Sequence, residues 1–218
     1  MNTIEKILWA CLALTAIALV FLGCSESASA MAPKPRVVVP APMDSNFDYA
    51  MKTVLRHEGG PSNDKADPGG ITNYGVSLRF LKDEHIDVNG DGKIDSNDVI
   101  HLTQTEADAI YLNKWWLAYH YNEIQDRNVA TKVLDFSVNS GACRAHKLVK
   151  SSLNHILIKQ IKVNCNLDEK DIDALNHIDE PVIMAELRIE EAEFYRDIVK
   201  RNSHLSVFLK GWLKRAAD

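Results

Sequence analysis

The sequence predicts an all-α or mainly α domain, and three observations carry that reading. Apolar residues recur at i, i+3, i+4 spacing in successive runs from Met51 to the C-terminus. Helix-start signals fall where those runs begin, as in Thr103-Gln104-Thr105-Glu106 and at Pro181. No segment alternates apolar and polar residues in the manner of a half-buried strand. At 218 residues the chain is long enough to bury a substantial core.

The first thirty residues stand apart. Ile7 to Gly23 is an almost unbroken apolar run of 17 residues, followed by Ser25-Glu26-Ser27-Ala28-Ser29-Ala30. An apolar core before Ala28-Ser29-Ala30 fits a cleaved secretory signal. Seventeen residues also suffice for a retained anchor in the inner membrane through residues 7–23, and Gly23-Cys24 offers a lipoprotein processing site. All three readings export the remainder, to the periplasm or the extracytoplasmic face of the membrane. Residues 31–46, with Pro33, Pro35, Pro40 and Pro42, read as an extended tether.

The formal charge is −5; Glu5, Lys6 and Glu26 contribute −1, so the chain beyond residue 30 carries −4. That balance argues against a nucleic-acid partner, which calls for a basic surplus. Of four cysteines, Cys11 and Cys24 belong to the leader. Cys143 and Cys165 are left either to pair in an oxidising compartment or to serve as small buried apolar residues.

The folded part is expected to open with a helix from about Asp48 to Glu58, whose Met51, Val54 and Leu55 share a face. Glu58 closes it. The glycine-rich segment His57-Glu58-Gly59-Gly60 through Asp67-Pro68-Gly69-Gly70-Ile71-Thr72-Asn73-Tyr74-Gly75 then turns sharply. A carboxyl in a partly dry pocket can give a proton to a leaving oxygen, and an ionised partner can steady a cation or activate water. Glu58, Asp67 and Thr72 are therefore candidates for a site that breaks a glycosidic bond. The same residues also fit a surface carboxylate at a helix end, with glycines as loop punctuation.

Val76 to Lys82 reads as a short helix. Asp87 to Asp98 then matches the spacing of a twelve-residue calcium loop: Asp87, Asn89, Asp91, Asp95 and Asp98 at positions 1, 3, 5, 9 and 12, the Lys93 carbonyl at 7, and Gly92 at the sharp turn. Position 12 is Asp where Glu is usual. Structural Ca2+ is the expected cofactor, against the alternative of a solvated acidic loop.

Glu106 to about His120 reads as an aromatic helix with Tyr111, Trp115 and Tyr119 on one face. Tyr74 and Trp115 are candidates for stacking on sugars, and core packing serves such aromatics equally well. Further helices are expected at Val129–Phe136, Arg144–Ile161, a shorter segment opened by Asn166-Leu167-Asp168 and ending at Leu175, a long helix from Pro181 through Ile198, and a last one carrying Val207 to Leu213. Asn139 can orient a sugar amide or a water, or cap a helix.

Taken together, Glu58-Gly59-Gly60, the Asp67 to Val76 segment, the Glu106 helix ending in Trp115-Trp116, Asp135-Phe136-Ser137-Val138-Asn139-Ser140-Gly141 and Phe208-Leu209-Lys210-Gly211-Trp212-Leu213-Lys214-Arg215 resemble, in order, the N-acetylmuramidases of glycoside hydrolase family 108 and their C-terminal peptidoglycan-binding region. The resemblance implies a lysozyme-like muramidase bundle, and the calcium-type loop between Phe80 and Thr103 is an insert that departs from the family pattern. It implies a catalytic region at 47–141, a wall-binding region at 142–218, and Glu58 as the general acid. Asp67 and Thr72 take supporting roles by analogy with phage-type lysozymes. The partner implied is the peptidoglycan glycan strand, and a monomer is expected. The stretch after Asn166 departs from the family in lacking its Asp-Gly and Gly-Pro turns. A lytic transglycosylase and a non-enzymatic, calcium-dependent wall-binding protein are the competing functions.

Overall fold

The computed structural model describes residues 44–58, 71–157 and 161–218, with the side chain of Glu58 left out. The leader or anchor at 7–23, residues 31–43 of the tether and Asp67 lie outside the described residues, whereas 44–46, expected as the end of the tether, already lead into a helix that starts at Ser45. Among the described residues no helix is long and apolar enough to cross a membrane.

The architecture is mainly helical. Helix α1 (Ser45–Glu58) buries Phe47, Ala50, Met51 and Val54 against α5 (Arg127–Ser140), leaving Leu55 partly covered. Full burial of side chains the size of Phe47 and Val54 is worth roughly 1.5–3 kcal/mol each. The expected face is therefore the packed one, shifted slightly toward the N-terminus.

Next comes a hairpin that strand periodicity does not reveal: β1 (Thr72–Asn73) pairs antiparallel with β2 (Val76–Ser77), Thr72 opposite Ser77 and Asn73 opposite Val76. Tyr74 and Gly75 turn with φ of +50° and +76°, the paired left-handed conformation of a two-residue hairpin loop. Two residues per strand are too few to show alternation. The expected helix at Val76–Lys82 is thus split, with α2 running Leu78–Asp83 behind an N-cap at Ser77 whose hydroxyl accepts from the Phe80 amide. Asn73 fixes the hairpin to the body, its side-chain amide donating to the carbonyls of Val99 (3.1 Å) and Leu102 (3.2 Å).

Helix α3 (Ser96–Ile100) leaves the acidic loop, and α4 (Gln104–Tyr111) starts on the expected capping box of Thr103 and Glu106. The aromatic helix does not run on to His120. Leu112–Trp116 is one π-helical turn, closed by the Leu117 amide on the Leu112 carbonyl at 2.9 Å, and His120 takes φ +58°. The extra residue rotates the chain beyond it. Tyr111 and Trp115 still meet at 5.4 Å, whereas Tyr119 leaves that face and pairs with Tyr121 and His146.

Helix α5 is longer than apolar periodicity predicts because Asp126 caps it, accepting from the Asn128 and Val129 amides. Gly141, at φ +90°, separates it from α6 (Ala142–Ile156). Helix α7 (Glu169–Asn176) opens on a capping box from Asp168 to Asp171, α8 (Glu180–Arg201) has Pro181 in its first turn as expected, and α9 is Ser206–Ala217. One apolar core runs from Phe47 through Trp116 and Leu134 to Val149, Leu175 and Leu187. A smaller cluster of Phe136, Ala145, Tyr195 and Ala216 joins α5, α6, α8 and α9.

Cys143 and Cys165 are disulfide-bonded across 22 residues. Cys165 is exposed and Cys143 only half-buried, so the buried-apolar alternative is set aside. Closing a loop of this length contributes about 3 kcal/mol in the chain-entropy account. Cys143→Ser with Cys165→Ser is expected to lower denaturant stability by about that amount; urea unfolding of the oxidised protein beside the double variant measures it, and coincident curves contradict it.

Candidate active site

The site is built around the last turn of α1. Glu58 is the final residue of that helix, and the residue before it is held from two sides. His57 Nδ1 lies 3.0 Å from Asp135 Oδ1 on α5, and Nε2 lies 3.1 Å from Asp218 Oδ2 just past α9. Each ring nitrogen thus faces a carboxylate oxygen. Asp135 is buried and also takes the forked guanidinium of Arg215, Nε to Oδ2 at 2.9 Å and Nη2 to Oδ1 at 2.8 Å. A bidentate charge-assisted pair fixes orientation as well as distance. The end of α1 is thus positioned by residues from the C-terminal helix, 161 residues away in the case of Asp218.

Two open depressions meet at this point. One, of about 350 Å³, runs between Tyr49, His57, Lys132 and Arg188; the other, of about 590 Å³, lies between Arg56, His57, Asn139, Trp212 and Lys214. Asn139, next to the end of α5, is exposed, and its Oδ1 accepts from Tyr195 (2.9 Å) and Ser140 (3.0 Å). The helix end at Ser140 is capped by Gly141, not by Asn139.

Thr72 and Tyr74 lie on the hairpin, where the Tyr74 carbonyl accepts from the Tyr111 hydroxyl at 3.1 Å. Trp115 is half-buried, stacked on Phe80 at 5.2 Å and against Tyr111 at 5.4 Å. Tyr111 thus links Tyr74 to Trp115, and Asn139 lines the depression that reaches His57.

In the acidic loop every candidate carboxylate accepts from the loop's own amides. Asp87 takes Gly90 and Gly92 (both 2.7 Å), Asp91 takes Lys93 and Asp95 takes Asn97 (both 2.8 Å), and the Asn89 side chain takes Asp91. Asp98 is fully buried and accepts from Val88, Asn89 and Asp95, tying the start of the loop to its end. Gly90 and Gly92 supply the left-handed turns at φ +75° and +86°. Among the described residues, the three-residue group whose ligand atoms lie within 4.8 Å of one another is His155, Glu186 and Glu190.

Among the described residues, Asp108 has a carboxyl raised into the range suited to proton donation near neutral pH. Asp108, on α4, is pushed up from 3.8 to about 6 by loss of solvent and then by repulsion from Asp48. Its Oδ1 is buried without a hydrogen-bond partner, and it lines neither depression at His57. Between pH 3.8 and 6 the native state keeps a proton that the unfolded chain has released. This group therefore favours folding as pH falls through 6 and opposes it at pH 7. Asp108→Asn is expected to stabilise by about 1 kcal/mol at pH 7.5, given that the group is half-exposed, with most of the gain gone by about pH 3.8. Thermal melts at both pH values test it; a lower melting temperature for the variant at pH 7.5 contradicts it.

Residues 51–141, which hold Glu58, the hairpin and the Asp135 segment, match the family described as Glycosyl hydrolase 108. The chain carries a glycosyl hydrolase 108 domain. Residues 149–217 match the family described as "Predicted Peptidoglycan domain", despite the missing turns after Asn166. The glycosyl hydrolase 108 segment and the peptidoglycan segment share the apolar core. Among solved structures, that of SagA from Brucella abortus is similar at 27% identity and a TM-score of 0.63, over 78% of this chain and 89% of that one. No curated protein matches. The protein is a glycoside hydrolase acting on peptidoglycan. The competing idea of a wall-binding protein without enzymatic activity is thereby set aside.

His57, Arg215 and Asp218 were not singled out for a role by the sequence. Their one signal was adjacency: His57 precedes Glu58, and Arg215 ends the last motif shared with the family.

Proposed function

We propose that this family 108 hydrolase is an N-acetylmuramidase, cleaving the β-1,4 bond between N-acetylmuramic acid and N-acetylglucosamine outside the cytoplasm. The observation that supports it is the clamp on His57, which holds the end of α1 and so the backbone of Glu58 beside two surface depressions. Glu58 gives its proton to the leaving oxygen as positive charge develops on the sugar, Asp67 stabilises that charge or helps activate water, and Thr72 positions the water. Mass spectrometry of peptidoglycan digested by the purified enzyme tests the reading. Reducing N-acetylmuramic acid ends support it. Anhydro-muramic ends make the enzyme a lytic transglycosylase, and reducing N-acetylglucosamine ends make it a glucosaminidase.

Calcium belongs to the same proposal. The oxygen donors of Asp87, Asn89, Asp91, Asp95 and Asp98, with the Lys93 carbonyl, suit a hard cation, and the amide bonds within the loop favour a folded ring of acceptors. With free Ca2+ a hundredfold above its dissociation constant, linkage adds about 2.7 kcal/mol to stability. The melting temperature is therefore expected to rise by several degrees between chelator and millimolar Ca2+, and Asp91→Ala to erase the rise. Identical melts and activities in both buffers would reduce the loop to a solvated turn.

A further inference from the structure

We infer that the cavity between α6, α8 and α9 binds the anionic peptide stem of peptidoglycan and not its glycan, an assignment resting on peptidoglycan as the substrate polymer. The cavity holds about 780 Å³, within the size range of small-ligand sites. Three cations line it, Arg144, Lys147 and Arg201, against one anion, Glu190. In a chain whose formal charge is −5, that is a local reversal of sign. Arg144 and Arg201 spend hydrogen bonds on the carbonyls of Ser140 and Asp197, which leave their positive charge uncancelled.

The aromatic wall points the same way. Trp212 stacks on Tyr195 at 5.4 Å and on Phe208 at 5.7 Å, with interplanar angles of 23° and 28°. With its ring so engaged, it presents the cavity with an apolar wall and not a free platform for a sugar. The glycan carries little charge of its own, since the lactyl carboxyl of muramic acid is consumed in the amide bond to the stem. The stem supplies carboxylates, alanine methyl groups and, in diamino-acid stems, one ammonium that Glu190 suits. Charge complementarity of this kind sets which partner is recognised.

Position is consistent with use during cleavage. Asn139 and Trp212 line both this cavity and the depression that reaches His57. A stem seated here leaves its glycan strand running toward Glu58.

The test is binding of the purified full chain to immobilised intact sacculi and to immobilised glycan strands stripped of stems by an amidase, with the lactyl carboxyls that the amidase exposes capped as methyl amides so that only the charges of the stem are lost. Wild type is expected to bind the intact polymer about tenfold more tightly than the stripped one, with the difference shrinking in high salt. Arg144→Glu with Lys147→Glu should reduce intact binding to the stripped level, while Arg144→Lys with Lys147→Arg retains it. Cleavage of stripped strands should be the same for wild type and the charge-reversed variant. If that variant melts early, Lys147→Glu with Arg201→Glu, which spares the Arg144 bond to Ser140, gives the same readout. Equal wild-type binding to both polymers, or wild-type-like binding by both charge-reversed variants, overturns the assignment. Preference for intact sacculi, lost on charge reversal and accompanied by no cleavage of either polymer, upholds the stem site while removing the muramidase reading.

Discussion

Glu58→Gln is expected to lower peptidoglycan cleavage by about three orders of magnitude, in the middle of the range for loss of a general acid, with the melting temperature nearly unchanged. Gln keeps the size and most of the hydrogen-bonding capacity of Glu but has no proton to give at neutral pH. Glu58 is the last residue of α1, and the packing of that helix rests on Phe47, Ala50, Met51 and Val54. Folding and catalysis are therefore separable at this position. The measurement is release of soluble fragments from purified sacculi, read beside a thermal melt. An active Glu58→Gln enzyme would move the acid elsewhere. Asp108 is not the natural substitute: its pKa is raised to about 6, but by desolvation and the neighbouring Asp48, away from the depressions at His57.

Legibility in the sequence depends on how local each signal is. The capping box at Thr103 and Pro181 in a first turn are encoded within four residues and appear where expected, and the short segment opened by Asn166-Leu167-Asp168 starts on a capping box that was not anticipated. The hairpin at Tyr74-Gly75 is short and is held by Asn73 reaching carbonyls of Val99 and Leu102, which no local pattern announces. The π turn at Leu112–Trp116 inserts a residue that a 3.6-residue period cannot show. Glu58 was legible as a candidate through its spacing to Asp67 and Thr72 and through the family resemblance, since a carboxylate at a helix end before two glycines also fits an ordinary surface position. The clamp on its neighbour was not, since Asp135, Arg215 and Asp218 come from distant segments and each alone reads as an ordinary surface charge. The same holds for Lys132, Lys150, Asp171 and Glu191, all buried and paired in the fold.

Lys132 is where the second large effect is expected. Its ammonium, on α5, meets Glu191 of α8 at 2.9 Å and the carbonyls of Arg215 and Ala216 at 3.0 and 2.7 Å, so all three donors are used. Those carbonyls belong to the last turn of α9, where a cation also answers the helix dipole. Lys132→Met removes the charge and leaves Glu191, 1% exposed, with the Tyr195 hydroxyl at 3.0 Å as its remaining described partner. An unpaired buried charge of this kind costs about 3–5 kcal/mol. Burial already pushes the Glu191 carboxyl above its ordinary value, with Lys132 pulling it down. Without Lys132 the carboxyl rises further and takes up a proton more readily as pH falls, so the deficit should be larger at pH 7.5 than at pH 5. Lys132→Met with Glu191→Leu removes both charges and should recover most of the loss, because paired burial by itself adds little net stability. Activity supplies a second readout. Arg215, whose carbonyl Lys132 holds, also grips Asp135, and Asp135 grips His57 beside Glu58. At a temperature where Lys132→Met is still folded, its turnover of sacculi should drop severalfold while an unrelated variant of equal stability keeps its rate. A cost below about 1 kcal/mol, the level of an exposed ion pair, or an unchanged rate, would separate this network from the catalytic end of α1.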